Sequence, residues 1–321
     1  MPLSRRRWLA ATGAWSGAAL TQQSWPSKPV RLIVPNVAGG GVDILTRLLQ
    51  GEIAKLWAPT VLVDYKPGAG TVLGTDYVAK SAPDGYTIGM VVTSHVINPS
   101  LRASMPFDTL KDLAGVGMTA TSSILLSASP KLPVNSLQEL IAYGKAPGAK
   151  LSYATPGAGS AMHLGGELLK QRAGFEMLHV PYKGSGGAYA DVSEDRVNVL
   201  IDPLFSSLPH VKSGRLKPLA VLSARRDPIA PQIAAAGELL PDFDVKSING
   251  MVVPRATPRE VVQRISSDVA TALRSEELKA RLAAIGLEPM GSSPQQFDDY
   301  VRAEMKRWEA VVKVGNITLE G

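Results

Sequence analysis

Short apolar runs rich in β-branched residues alternate along the chain with stretches in which apolar residues recur every three or four positions. The first run, residues 30–34 (Val-Arg-Leu-Ile-Val), is typical of a buried strand. After the glycines at 39–41, Leu45, Leu49 and Ile53 fall at helical spacing and indicate a helix that begins near Val42. The pattern therefore predicts a unit of strand, glycine loop and helix.

The same unit recurs with different loops. Strands are predicted at 61–63 and 87–92, with the glycine loop 67–70 and a helix over 71–80 between them. Beyond about residue 115 the alternation restarts, with strands near 125–126, 151–153, 179–182, 197–201 and 219–222. Such alternation is typical of α/β folds whose sheets are mostly parallel. We therefore expect an α/β protein built in two halves.

Capping boxes predict three helix starts along the chain, and the last hundred residues are predicted to be mostly helical. Ser136, Thr257 and Ser293 are each followed three residues later by Glu or Gln, which is the pattern of a capping box at the start of a helix. In the final helix, apolar residues at helical spacing predict a buried face formed by Phe297, Val301, Met305, Trp308 and Val312.

Composition fits a globular protein. The 321 residues are 45% hydrophobic and 19% charged, and this length favours about two domains. Cysteine is absent, which excludes disulfides, thiolate metal sites and a thiol nucleophile. No window reaches the roughly 18 consecutive apolar residues of a membrane-spanning helix.

Residues 1–24 have the pattern of an export signal. Three arginines at 5–7 precede a short, weakly apolar stretch rich in Ala, Gly, Thr and Ser. Residues 4–9 (Ser-Arg-Arg-Arg-Trp-Leu) resemble the twin-arginine type of signal, with Trp8 where Phe is usual. An amphipathic first helix is the alternative, which Gly13 and Gly17 disfavour. We expect an exported, periplasmic protein.

The charge gives no indication of a nucleic-acid partner. The leader arginines supply half of the formal charge of +6, and no dense Lys/Arg stripe with interleaved aromatic residues follows. We expect a monomer that binds a small molecule.

Four glycine-containing loops follow predicted strands, at 38–41, 68–70, 156–159 and 184–187. In α/β sheets, loops at the carboxyl ends of strands line the ligand crevice. Glycine lets backbone N–H groups approach a ligand, and helix N-termini add a positive dipole. Each loop could instead only turn the chain, but four of them in two restarting halves favour an anion site.

Cofactor and catalytic motifs are absent. Residues 68–74 are one residue too long for G-x-G-x-x-G, and the chain contains no phosphate-binding P-loop, G-x-S-x-G elbow or H-E-x-x-H. We therefore expect no cofactor, no metal site and no catalytic residue. His163, in the first turn of a predicted helix, could contact an anion, but packing or loop support is the more common use of such a residue.

Taken in order, several segments resemble one family. They are residues 30–47, residues 67–70 (Pro-Gly-Ala-Gly), residues 83–87 (Pro-Asp-Gly-Tyr-Thr) and residues 179–186 (His-Val-Pro-Tyr-Lys-Gly-Ser-Gly). Together they resemble the Bug, or TctC-like, solute-binding proteins, the extracytoplasmic receptors of tripartite tricarboxylate transporters. The resemblance covers nearly the whole chain from Trp25.

The resemblance implies a two-domain periplasmic binding protein of type II, which closes like a Venus flytrap. Each domain would have a mostly parallel sheet flanked by helices. Domain I would comprise residues 25–127 and 225–321, and domain II residues 128–224, with hinges near 127–132 and 221–226. A small organic acid would bind between the domains, for delivery to membrane permease subunits or to a sensory partner.

The resemblance also implies the binding residues. Two loops of domain I would hold a carboxylate as a pincer, partly through bridging waters, and domain II would close over it. Charge-assisted hydrogen bonds from backbone amides and hydroxyls hold a carboxylate without an arginine. In domain I these residues are Ala38, Gly39, Gly40, Gly41, Asp43, Gly68, Ala69 and Gly70. In domain II they are Thr155, Ala158, Gly159, Ser160, His163, Tyr182, Lys183, Gly184 and Asp202.

The chain departs from the family pattern at the mouth of this pincer. Asn36 replaces an aromatic residue and Thr71 a glycine, and both add polar groups that bear on the choice of ligand. The alternative function is an enzyme that acts on an anionic metabolite in the same cleft, with His163 or Asp202 as its base. No recognised catalytic constellation supports that alternative.

Overall fold

A computed structural model describes residues 25–319, so the predicted export signal at 1–24 lies outside the described residues. Within that range the strands are β1 (Val30–Val34), β2 (Val61–Tyr65), β3 (Thr87–Val92), β4 (Leu113–Ala128), β5 (Ser152–Thr155), β6 (Leu178–Pro181), β7 (Val199–Pro203), β8 (Lys217–Val221), β9 (Lys246–Pro254) and β10 (Glu288–Pro289). The α-helices are α1 (Gly41–Ile53), α2 (Val72–Ala79), α3 (Ser94–Leu101), α4 (Leu137–Lys145), α5 (Ala161–Ala173), α6 (Ser185–Ser193), α7 (Leu204–Lys212), α8 (Arg259–Leu273), α9 (Glu276–Ala284) and α10 (Pro294–Gly315).

The strands form two parallel groups joined by antiparallel strands. β1 pairs in parallel with β2 and β3 at one end, and β5 pairs in parallel with β6 and β7 at the other. Between them, β9 runs antiparallel to β3 and β4, and β4 runs antiparallel to β7, β8 and β10. The α/β prediction is confirmed, with its parallel pairing confined to the two groups.

The long strand β4 reaches from one group to the other. Its residues 113–123 pair with β9, whereas residues 124–128 pair with β7 and β8. The change of partner falls between Ser123 and Ile124. The chain returns from the second group to the first between β8 and β9. The groups are therefore connected by a strand and by one returning segment.

Alternation along β1 explains why helices cover both faces of the first group. Leu32 and Ile33 are fully buried, but they point to opposite faces because successive side chains of a strand alternate. Leu32 packs in an apolar cluster with α1, α8 and α9, and Ile33 in one that includes α3 and α10. No helix of residues 25–319 is long and apolar enough to cross a membrane.

Candidate functional site

A cavity of about 860 Å³ lies between the loop that follows β2 and the loop that precedes α5. The first loop contributes Ala69, Gly70 and Thr71, and the second contributes Ala158, Gly159 and Ser160. The cavity is within the size range of sites for small ligands. Since its walls come from both groups of strands, relative movement of the groups would open or close it.

A groove of about 780 Å³ lies beside this cavity. All of its lining residues fall within 65–87 of the chain. Because only one group of strands contributes to it, a closing movement between the groups would not enclose a ligand there. The candidate site is therefore the cavity that both groups line.

Residues 68–71 hold a strained turn at the cavity wall. The φ angles of Gly68, Ala69, Gly70 and Thr71 are 133°, 47°, 60° and 80°. Positive φ costs a non-glycine residue about 1–2 kcal/mol. Strain of this kind is kept where the surroundings enforce it, and it concentrates at binding sites.

Helix α3 enforces the turn. The Asn98 side-chain amide donates to the carbonyl of Gly70 at 2.8 Å, and Arg102 Nη2 donates to the carbonyl of Ala69 at 2.7 Å. In a planar trans peptide the N–H points away from the C=O. Both contacts therefore turn the N–H groups of Gly70 and Thr71 away from α3.

The N-terminus of α5 forms the opposite wall. The Ser160 hydroxyl accepts the N–H of His163 at 3.2 Å and donates to the carbonyl of Gly157 at 2.7 Å. The Gly159 N–H donates to Nδ1 of His163 at 3.1 Å. Ala158, Gly159 and Ser160 thus bring the positive end of the α5 dipole to the cavity.

His163 supports this loop from behind. It is buried, and its ring stacks on His179 with centroids 3.9 Å apart. His179 Nε2 in turn lies 2.7 Å from the hydroxyl of Thr155, which is fully buried. Since Nδ1 of His163 already accepts the Gly159 N–H, that nitrogen is not available as a base. His163 and Thr155 do not line the cavity.

Burial also sets the protonation of the stacked histidines. Desolvation lowers the pKa of His163 from 6.5 to about 4 and that of His179 to about 3. The charge of Lys170 adds to this effect at His163, and a positive His163 would add to it at His179. Both rings are therefore neutral at neutral pH.

Acidification is expected to destabilise the protein through this pair. The folded-state pKa values lie below the unfolded value of 6.5, so the stabilisation is complete above pH 6.5 and is lost as the pH falls towards 4. Asp202 acts in the opposite direction. Its pKa is raised from 3.8 to about 6, so its contribution to stability increases as the pH falls. Chemical unfolding of His179→Phe should show a shallower loss of unfolding free energy between pH 6.5 and 4 than the parent chain. Equal slopes would contradict this assignment.

The glycine loop before α1 is exposed and organised by Asp43. The Asp43 carboxylate accepts the Gly39 N–H at 2.7 Å, the Tyr65 hydroxyl at 2.6 Å and Nε of Arg47 at 2.9 Å. Burial opposes its ionisation, but these donors hold the pKa of Asp43 below its usual value. Asp43 therefore shapes the loop and leaves no free oxygen for a ligand.

The glycine residues of this loop and the first residue of α1 lie outside the cavity. Ala38, Gly39, Gly40 and Gly41 are exposed and do not line the cavity. A Cβ on Gly41 would lie 3.9 Å from the ring of Phe205 in α7. The neighbouring Asn36 does line the cavity, and its side-chain oxygen is buried with no hydrogen-bond partner among the described residues.

The remaining candidates lie outside the cavity lining. Asp202 is fully buried and accepts hydroxyl hydrogen bonds from Ser185 at 2.6 Å and Tyr189 at 2.5 Å. The Tyr182 hydroxyl donates to Asp191 at 2.5 Å. Burial, and after it this hydrogen bond, raises the pKa of Tyr182 to about 12. Lys183 and Gly184 are exposed. Among residues 25–319 no group of His, Asp and Glu is placed to hold a metal ion.

The sequence profile of one family spans most of the chain. It is described as the tripartite tricarboxylate transporter family receptor, TctC, and it matches residues 45–317. The chain belongs to this family. Protein BugT of Bordetella pertussis is 33% identical over 299 residues, which cover 92% of each chain.

Solved structures similar to this TctC-family chain share its fold. Rpa4515 of R. palustris, solved with adipate, is 35% identical with a TM-score of 0.81, and the match covers 92% of this chain and 100% of that one. The periplasmic binding protein BugD is 27% identical with a TM-score of 0.78, at the same coverage. The predicted family and its two-domain binding-protein fold are confirmed. The family is described as a receptor family, and BugD as a periplasmic binding protein.

Helix α3 and Arg102, which follows it, supply cavity residues that the sequence analysis missed. Asn98 and Arg102 line the cavity, and they follow the loop that they hold by 28 and 33 residues. Ser94 lines it as well, and its hydroxyl lies 2.8 Å from that of Thr71. No motif marks these three residues. The only signal is that these three polar residues are spaced about one helical turn apart, which indicates a common face.

Proposed function

We propose that this TctC-family receptor captures a small carboxylate in the cavity between its two groups of strands and does not transform it. The observation that carries the proposal is the chemistry of the wall. The strained turn at 68–71 and the N-terminus of α5 face a cavity in which Arg102 is the sole charged lining residue within 25–319. Backbone donors, a helix dipole and one cation suit an anion.

Closure of the two domains would retain the acid. We propose domain I at 25–127 plus 225–321 and domain II at 128–224, with hinges near 127–132 and 221–226. A ligand that contacts both domains only in the closed state shifts the population towards closure. The backbone and hydroxyl groups at 68–71 would hold the acid in domain I, and those at 158–160 would close over it from domain II.

The setting proposed for this receptor is the periplasm, reached through a twin-arginine leader at 1–24. Membership of the family supports delivery of the acid to membrane permease subunits, with a sensory partner as the other recipient. Adipate in the similar Rpa4515 supports carboxylates as the ligand class. We propose that the receptor works as a monomer.

A thermal-unfolding screen tests the proposal. The purified protein, freed of bound ligand by unfolding and refolding, is heated with dicarboxylates, tricarboxylates, aromatic acids and amino acids. At about 100 times its dissociation constant a ligand adds about 2.7 kcal/mol to the unfolding free energy. We expect one class of acid to stabilise the protein and to be recovered unchanged. Stabilisation by no acid, or consumption of the acid, would contradict the proposal.

A further inference from the structure

Of the residues that the structure describes, Arg102 is the one charged side chain that lines the cavity. It follows α3 directly and is half-buried. Its Nη2 donates to the carbonyl of Ala69, but its Nε is buried and has no hydrogen-bond partner among the described residues. A guanidinium carries five N–H donors, so most of those on Arg102 remain for another acceptor.

Arg102 also lacks an acidic partner. Within residues 25–319, no carboxylate lies within 4.0 Å of its guanidinium nitrogens, whereas two other partly buried cations, Lys170 and Arg307, are paired. Lys170 binds Glu167 at 2.9 Å, and Arg307 binds Glu304 at 3.2 Å. Removing a cation from water is unfavourable unless an opposite charge or hydrogen bonds compensate. The missing negative charge at Arg102 is one that a ligand could supply.

The geometry of the turn separates Arg102 from the backbone donors of the same loop. Arg102 holds the carbonyl of Ala69, and the N–H of that peptide unit, which belongs to Gly70, points the opposite way. A carboxylate bound to the Gly70 N–H is therefore on the other side of the peptide from the guanidinium. One carboxylate cannot use both, so the cavity offers two separate positions for negative charge.

We propose that Arg102 pairs with a second carboxylate of the ligand and makes the cavity select dianions over monoanions. This inference rests on the proposed function. Among residues 25–319, no acidic residue lines the cavity to compete for the guanidinium. The planar fork of arginine matches a carboxylate in two parallel hydrogen bonds, which gives preference for charge and for position.

Matched ligands test the inference. Dissociation constants of adipate and of monomethyl adipate, which has nearly the same length and one negative charge, are measured by calorimetry for the parent chain and for Arg102→Gln. The same measurements are made with longer and shorter dicarboxylates and their monoesters. We expect Arg102→Gln to weaken dicarboxylate binding about 30-fold or more, the effect of breaking a buried charge pair. Monoester binding should weaken only as far as the lost support of the turn requires, which is the loss that Asn98→Ala shows. Arg102→Lys should restore part of the preference.

Two control variants separate the alternatives. Asn98→Ala removes the other support of the turn, so it should weaken diacid and monoester equally. Lys66→Gln removes the same formal charge beside the turn but outside the cavity, so it should leave the preference unchanged. Thermal unfolding of each free variant checks its folding. If Arg102→Gln does not fold, Arg102→Lys carries the comparison.

Equal weakening of diacid and monoester by Arg102→Gln would show that Arg102 only supports the turn, and it would overturn the inference. A parent chain that binds both ligands equally would overturn it too. Either result would leave carboxylate capture intact. Failure of the parent chain to bind any acid would overturn the proposed function itself, and this inference with it.

Discussion

Replacement of Gly70 by valine is expected to abolish stabilisation of the protein by its acid. At about 100 times the dissociation constant that stabilisation is about 2.7 kcal/mol, and we expect nearly all of it to be lost. Gly70 has a φ of 60°, which β-branched residues rarely adopt. A Cβ there would lie 3.1 Å from Nη2 of Arg102. The variant should therefore shift both the turn and its support.

Gly148→Val is the matched control for this prediction. Gly148 has a φ of 78° but lies between α4 and β5, outside the cavity lining, and a Cβ there would meet no atom within 4 Å. It should bear similar backbone strain and keep the response to ligand. If Gly70→Val responds to the acid as Gly148→Val does, the turn at 68–71 does not bind the ligand.

Phe297→Ala is expected to lower the free energy of unfolding by about 3–5 kcal/mol, the cost of truncating a fully buried aromatic side chain. Phe297 is 0% exposed. A Cβ on Gly250 would lie 2.3 Å from its Cζ, and one on Gly115 would lie 2.9 Å from its Cδ1. The ring thus packs against glycines of β9 and β4, where no other side chain can fill the space that it leaves.

Val314→Ala on the same helix serves as the reference. Val314 is 69% exposed, so its truncation should change the free energy of unfolding by no more than about 0.5 kcal/mol. Both variants are compared by urea denaturation. A loss below about 1 kcal/mol for Phe297→Ala would mean that α10 adjusts to the cavity, and it would contradict the close packing described for this helix.

Local signals predicted the first group of strands well. The runs 30–34 and 87–92 coincide with β1 and β3, because β-branched segments bounded by turn residues have few other stable conformations. Strand β9, at Lys246–Pro254, was missed because Asn249 and Gly250 interrupt its apolar pattern. Its stability comes from antiparallel pairing with β3 and β4, which is visible only in three dimensions.

Helix starts also divide into those that local signals predict and those that tertiary packing sets. Ser136 and Ser293 cap α4 and α10 as predicted, with side chains that accept the N–H groups of Glu139 and Gln296. The prediction that Thr257 caps a helix is wrong, because α8 begins after Pro258 and no side chain caps its first turn. The Thr257 hydroxyl is buried without a partner among the described residues. Packing, not the local motif, sets that helix start.

Part of the site could be predicted in the same way. Ala69, Gly70, Ala158, Gly159 and Ser160 line the cavity, since glycine loops at strand ends converge where parallel strands end. Polar residues behind such loops could not be assigned from the sequence alone. The sequence cannot distinguish a side chain that contacts the ligand from one that holds the loop in place, and the contacts of Asp43, His163 and Arg102 make that distinction.

The most direct measurement of the central claim is a crystal structure with the acid that stabilises the protein most. We predict a carboxylate oxygen in the cavity, within about 3 Å of hydrogen-bond donors in the turn at 68–71 or at the N-terminus of α5. Relative to the structure without ligand, the two domains should be rotated towards each other about the hinges near 127–132 and 221–226. An acid bound outside this cavity would contradict the account.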